Sequence, residues 1–510
     1  MEDKRLKIGF NINESRVKDR NTEFTVAANA NGGVDFIVVH CCNNEPDKIA
    51  DAKAVAKAVK SAGCEFIANF EWMNFAADEK NECSFGVCNH PDGTHRLELD
   101  EKLVEALKSQ GNLAGLMYDE FEHVIINRNV SIYMDSKFKK DIPVFPVPDT
   151  IDPVENGEIL SSQIGDYVEK SKNKFGDMLY LGEHVFPALY HTFARNGITP
   201  NFKSQKESFS NLQFAVAAGA SLEYGTKLWN CVDMWHMLTN PGHSANELYH
   251  NLKLAYLCGV NNVYVESASV FCDKDNDGNP YFNDIGRAFL RFNREYKNRD
   301  RDYDIHDYKP EIGIIRYDDT YWGQGRSKHF WRNMLFGNPK IKADYRAKEQ
   351  MKIFHLLTHG ESPIHSFYQG CIDLSTLKKH RSFATLNNTA VFDDRVKKET
   401  LESLKLCFIC GYSVSDETMS AVRELVHDNG LTVVLPERFM NDNGGGFVTQ
   451  DYREVKYGKG CFIVTDNFTS KALRKRLEAF LGEKDIMRFV FGNREIKLHI
   501  SSDGESFDEV

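Results

Sequence analysis

The sequence predicts an α/β protein: a (β/α)8 TIM barrel followed by a smaller doubly wound domain and a short β-rich C-terminal segment. Three observations carry this expectation. Strand-like apolar runs alternate with helix-periodic stretches over roughly the first 300 residues, the pattern of a mainly parallel sheet. Eight such strand runs can be counted there, the number a closed barrel needs. The chain of 510 residues is too long for one ordinary core, and a barrel of roughly 250 to 300 residues with a second domain accounts for the length.

The expected strands are residues 6–13, 34–41, 65–72, 113–118, 177–183, 198–203, 227–233 and 262–266. Helix-periodic stretches lie at 47–62, 100–110, 158–173, 208–217 and 285–296. Ser244 and Glu247 have capping-box spacing, in which hydroxyl and carboxylate satisfy each other's free amides, so a further helix should run from there through Leu257. Residues 125–156, with prolines at 143, 146, 148 and 153, read as a long loop on the face where such loops serve binding. The charged run 298–307 marks the boundary, giving a barrel over 1–305, a doubly wound domain over 306–445 and a β-rich segment, 446–510, completing it.

Composition narrows the function classes. A net charge of -11 with pI near 5.9 leaves no uncompensated basic surface for nucleic acid or an anionic membrane. No run approaches the ~18 apolar residues of a membrane span, and the first residues lead into a strand without a signal-peptide pattern. Twelve cysteines in so long a chain then fit a reducing compartment, and a cytoplasmic location is expected. Cys407 and Cys410 have redox spacing but lie in a strand-like run, which predicts core packing. Residues 273–284 match calcium-loop spacing, yet they are entered from a strand and end on Asp284, so a polar hairpin turn is expected. The glycine run 444–446 reads as a turn rather than a phosphate cradle, since no strand leads through it into a helix.

In a parallel barrel the strand ends converge on one opening, and their last residues form a provisional site. These are Asn11 and Asn13, His40, Glu71 with Trp72, Asp119, Glu120, Glu122 and His123, Glu183 and His184, Lys203 and Gln205, Asp233 with Trp235 and His236, and Glu266. Five of the eight strands end on a carboxylate. Glycoside cleavage needs two carboxylates flanking a sugar, polar groups for its hydroxyls and aromatic faces for its apolar side. Glu120 is the expected general acid/base, with Glu266 or Asp233 as the partner carboxylate. His40, Glu71, Trp72, Asp119, Glu122, Glu183, His184 and Trp235 are the expected substrate-binding and tuning groups. No HExxH or HxH spacing is present, and neither a metal nor another cofactor is expected.

At this point the chain resembles the barrel glycoside hydrolases that carry a glutamine-amidotransferase-like domain, as family 42 β-galactosidases do. The resemblance is one of architecture, with residue-level similarity at the fourth strand, LMYDEFEH. It implies that Glu120 is the acid/base, with Asp119 where that clan has Asn. The clan's nucleophile ends strand seven, where this chain has Asp233, with Glu266 one strand later. The second domain resembles the amidotransferase-like (flavodoxin-like) fold through the segment from Cys407 to Glu437, CFICGYSVSDETMSAVRELVHDNGLTVVLPE. Cys410-Gly411 lacks the glycine that precedes a nucleophile elbow, so no glutaminase activity is expected. In the related hydrolases this domain serves assembly, which implies a homo-oligomer, and the aromatic loop 317–331 either lines a neighbouring active site or packs against the barrel. The expected function is cleavage of a glycosidic bond in an oligosaccharide or small glycoside. A non-catalytic carbohydrate-binding or scaffold barrel and a metal-dependent lyase or isomerase are the alternatives.

Overall fold

The computed structural model describes residues 4–13, 33–41, 46–70, 87–89, 95–97, 101–127, 144–204, 208–235, 240–266, 268–324, 333–367, 381–440 and 451–510. Eight strands form the barrel of the first domain: β1 (Lys7–Asn13), β2 (Phe36–His40), β3 (Glu65–Asn69), β4 (Leu113–Tyr118), β5 (Leu179–His184), β6 (Thr199–Ser204), β7 (Trp229–Val232) and β8 (Asn262–Val265). Each pairs in parallel with its neighbours in the chain, and β8 closes onto β1, giving the expected closed barrel. Inward side chains, among them Phe36, Ile67, Met117, Leu181, Trp229 and Tyr264, fill the barrel as a core of their own. The opposite faces join a larger core under the helices. Burial on both faces is why β2, FIVVH, reads as an unbroken apolar run rather than an alternating one.

The surrounding helices include α1 (Pro46–Ser61), α2 (Glu101–Lys108), α3 (Phe121–Asn127), α4 (Pro153–Phe175), α5 (Tyr190–Arg195), α6 (Ser210–Tyr224), α7 (Ala245–Leu257) and α8 (Asp284–Tyr296). The capping box of α7 is formed as expected, with Ser244 Oγ accepting from the Glu247 amide and Glu247 from the Ser244 amide. Helix α4 begins earlier than the expected residue 158. Asp152 caps it by accepting from the amides of Val154 and Glu155, and Pro153 occupies the first turn, where no amide hydrogen is required. The proline that read as loop is therefore a helix start. Residues 272–282 form the expected polar hairpin, and the Asp275 carboxylate accepts from the amides of Asp277 and Asn279 inside the turn. The glycine run 444–446 and residues 128–143 of the long loop lie outside the described residues.

The second domain is built on a six-stranded sheet of β9 (Ile312–Arg316), β10 (Thr389–Phe392), β11 (Leu406–Cys410), β12 (Thr432–Leu435), β13 (Arg453–Tyr457) and β14 (Gly460–Val464). Its spatial order is β10-β9-β11-β12-β14-β13, parallel except for the edge strand β13. That is the flavodoxin-like order, with its switch point beside β9. Two strands of the C-terminal segment thus belong to the main sheet. The rest form a four-stranded sheet with Leu386–Asn387. Cys407 and Cys410 both lie buried in β11, where burial pushes their thiols up, as core packing requires. Among the described residues no helix is long and apolar enough to cross a membrane.

Helix α6 joins the two domains and runs past its expected end at residue 217. Gly219, inside the helix, is a packing residue, since a Cβ there would lie 1.5 Å from the Val391 carbonyl oxygen of β10. Asn211 of the same helix donates to the Ala384 carbonyl at 2.7 Å, and Arg195 pairs with Asp393 at 3.2 Å. Gly219→Ala should therefore destabilise the chain by about 3 kcal/mol or more, the upper end for overpacking. Gly225→Ala, where φ is +64° and nothing lies within 4 Å, should cost only about 1 kcal/mol. Denaturant midpoints of the two variants check this, and equal losses would contradict the packing role.

Candidate active site

Four carboxylates from four strand ends converge on one ammonium group. Lys203, inward on β6, has its Nζ 2.8 Å from Glu266, 3.2 Å from Glu120, 3.5 Å from Glu183 and 3.5 Å from Asp233. Barrel register explains the meeting. Lys203 lies opposite Cys231 on β7, which lies opposite Tyr264 on β8, while Glu183 lies opposite Asn201 on β6. Alternation then points Glu183, Asn201, Lys203, Cys231 and Tyr264 into the same opening. Asn201 Nδ2 donates to the Tyr264 hydroxyl at 2.9 Å, the Tyr264 hydroxyl donates to Glu183, and Cys231 Sγ donates to Glu266 at 3.4 Å.

Glu120 reaches the cluster by a backbone device. It follows β4 by two residues and has φ +46°, in the left-handed region that a residue of its type rarely occupies. Its carboxylate bonds both Lys203 and, at 3.1 Å, His123 Nδ1 on the first turn of α3. Its side chain is 15% exposed and that of Glu266 10%, whereas that of Asp233 is wholly buried. One Asp233 oxygen also accepts the Trp235 amide at 2.8 Å.

Burial works to lower the Lys203 ammonium, but the surrounding carboxylates, led by Glu183 and Glu266, outweigh it and hold the ammonium well above the usual lysine range. Burial likewise raises Glu183, and Lys203 with the hydrogen bonds to Asp119 and Tyr264 overturns that, leaving this carboxyl below its usual range. The carboxyl groups of Asp119 and Glu183 also lie in contact. Burial pushes the Cys231 thiol up, so it acts as a hydrogen-bond donor rather than a thiolate. Among the described residues Glu183, Cys231 and Glu266 bring ligand atoms within 4.8 Å of one another, close enough to share a metal ion. The Lys203 ammonium supplies the positive charge at that point.

The other expected site residues divide. His40 bonds Asn11 at 2.8 Å between the ends of β2 and β1, and Trp235 is partly exposed after β7. Glu71, Trp72, Gln205 and His236 lie outside the described residues. Glu122 and His184 are used inside the fold. One Glu122 oxygen accepts the amides of Val185 and Phe186 at 2.7 and 2.9 Å, and burial holds its carboxyl well above the usual range. His184 stacks on Tyr190, and burial pushes its imidazole down to about 3. Strand position alone marked Lys203 without a role, and Tyr264 and Cys231 not at all. Counting back in steps of two from Glu266 and Asp233 would have found the latter pair.

No protein-family model matches the sequence, and no curated protein matches it. Among solved structures the chain is similar to a polyextremophilic β-galactosidase from the Antarctic haloarchaeon Halorubrum lacusprofundi, with TM-score 0.61 and 10% identity over 98% of this chain and 94% of that one. A GH42 exo-carrageenase from Bacteroides ovatus matches with TM-score 0.41 and 13% identity over 95% of this chain and 69% of that one. A family 98 glycoside hydrolase module from Streptococcus pneumoniae matches with TM-score 0.41 and 9% identity over 98% and 75%. The barrel-plus-parallel-sheet architecture is thus shared with the β-galactosidase, and the likeness is one of fold.

Lys203→Met should lower folding stability at neutral pH by about 3–5 kcal/mol, because it leaves buried carboxylates without their cation. The sign with pH follows from the shifts. The Glu183 contribution is present above the unfolded value of 4.5 and lost as pH falls through its lower folded value, whereas the Lys203 contribution is present below 10.5 and lost as pH rises through its higher folded value. In the variant the uncompensated carboxylates can take up protons, so the gap from wild type should narrow towards pH 4.5. Denaturation at both pH values checks this, and an unchanged gap would count against the cluster's charge as the cause.

Proposed function

We propose that the chain is a glycoside hydrolase in which Glu120 is the general acid/base and Glu266 the partner carboxylate. The observation that carries this is the pairing of the two accessible carboxylates. Their oxygens touch the same ammonium at 3.2 and 2.8 Å and so lie at most about 6 Å apart, which suits retaining enzymes (about 5–5.5 Å) better than inverting ones (about 6.5–9.5 Å). Glu266 makes the shortest contact to Lys203, as a carboxylate that reacts in its ionised form requires. Glu120, at the rim, can give a proton to the leaving oxygen and later take one from water.

Asp233 is the less favoured partner because it is wholly buried and one oxygen already holds the Trp235 amide. Trp235, partly exposed two residues after Asp233, offers an apolar ring for a sugar. Backbone strain at Glu120 supports the same reading, since strained residues concentrate where a side chain must be aimed for function. The substrate class is an oligosaccharide or small glycoside.

Glu120→Gln should abolish turnover while sugar binding and the melting temperature stay close to wild type. Glu266→Gln should do the same, and Asp233→Asn should retain more activity than either. A panel of chromogenic glycosides and oligosaccharides, with product anomers followed by NMR, provides the assay, and a retained anomer is expected. Sugar binding without turnover in the wild-type chain would favour the binding-only barrel instead.

A further inference from the structure

The segment after β9 belongs to the second domain yet lies against the barrel, on the loop between β5 and α5. Tyr317, Tyr321 and Trp322 are buried. Trp322 stacks face to face on Phe186, with ring centroids 4.0 Å apart and planes 5° from parallel. Asp318 accepts the Leu189 amide at 3.0 Å and the Thr192 hydroxyl at 3.0 Å, so it caps α5, whose own N-cap residue Leu189 makes no side-chain cap. The barrel loop between β5 and α5 is thereby held at both ends by the second domain.

That loop in turn holds the helix carrying the partner of Glu120. The amides of Val185 and Phe186 both donate to Glu122 on α3, and the Phe186 ring meets the His123 ring edge-on at 4.9 Å. His123 Nδ1 is 3.1 Å from Glu120. The contacts form one continuous path of stacked and hydrogen-bonded groups: Trp322, Phe186, His123, Glu120. We propose that Trp322 and Phe186 are positioning residues through which the second domain sets the orientation of the Glu120 carboxylate, so that this domain is part of the site within a single chain. The catalytic half of the inference rests on the reading of Glu120 as acid/base; the geometric half does not.

The test uses the full chain with Trp322→Leu, Trp322→Phe and, from the barrel side, Phe186→Leu. Asn211→Ala serves as a control that weakens the domain contact elsewhere. Histidine ring resonances are recorded by NMR, with His123 assigned through His123→Asn. The expected result is that Trp322→Leu and Phe186→Leu move the His123 resonance and lower kcat about ten-fold or more with KM changed less than about two-fold, as loss of orientation predicts. Trp322→Phe should restore both, and Asn211→Ala should lower the melting temperature while leaving both unchanged. A folded Trp322→Leu or Phe186→Leu with the wild-type resonance and kcat would overturn the proposal, as would equal changes in Asn211→Ala. A moved resonance in a chain that hydrolyses no glycoside would uphold the coupling and count against the hydrolase reading alone.

Discussion

The barrel mouth depends on one buried ammonium ion. Carboxylates at 2.8 to 3.5 Å from a common centre repel one another strongly in a medium that water barely enters, and without a cation some would have to be protonated or turned outward. Lys203 removes that conflict by standing between them. It also fixes their spacing, because each distance to the nitrogen bounds the distances among the carboxylates. A flexible lysine can do this because β6 delivers it inward at the level of Cys231 and Tyr264. The same arrangement settles the thiol chemistry, since Cys231 sits among negative charges and remains a donor.

The rest of the fold keeps this cluster in register. Barrel closure sets the heights of β5 to β8, and the inner core below the cluster is filled by aromatic and aliphatic side chains with no slack for a strand to slip. Helix α6 presses against β10 closely enough that only glycine fits at 219, so the second domain sits hard against the barrel. The crevice at the switch point of the second sheet, where doubly wound proteins hold ligands, is filled by the chain's own groups. Arg316 bonds Asp319 and Gln350, and Glu349 pairs with Arg438 at 2.5 Å while accepting the Gly411 amide. That domain's visible contribution is to packing and to the loops around the barrel mouth.

Most of the architecture was legible in the sequence because two periodicities carry it. Double burial produces the unbroken apolar runs of β2 and β4, and helix periodicity with Ser244 and Glu247 locates α7. The misplaced boundaries have local causes. Pro153 suits a first helical turn as well as a loop, and Gly219 suits a tight interface as well as a helix end. At the site, strand ends could be identified, but which of them meet is decided by register across the closed barrel, which linear order does not state. Lys203 therefore stood in the strand-end set without a role, and Glu122 stood beside Glu120 although it faces the loop after β5. Strict alternation from Met117 sends Asp119 inward, where its carboxyl meets Glu183, but it misdirects at Glu120, which it would send away.

Glu120 shows how that misdirection is resolved. A left-handed backbone at a glutamate costs on the order of 1–3 kcal/mol and persists only where the surroundings over-determine it. Here the carbonyl of Glu120 accepts the Val124 amide to start α3, its carboxylate is held by Lys203 and His123, and the next residue, Phe121, packs between Tyr118 and Phe193. The turn is thus fixed from the helix, from the cluster and from the core at once. Relaxing it would break all three sets of contacts while freeing only one residue, so the strain is retained and the carboxylate stays aimed at the opening. A residue chosen for stability alone would be glycine or asparagine, and a long acid at this position is intelligible as a group required by what happens at the barrel mouth.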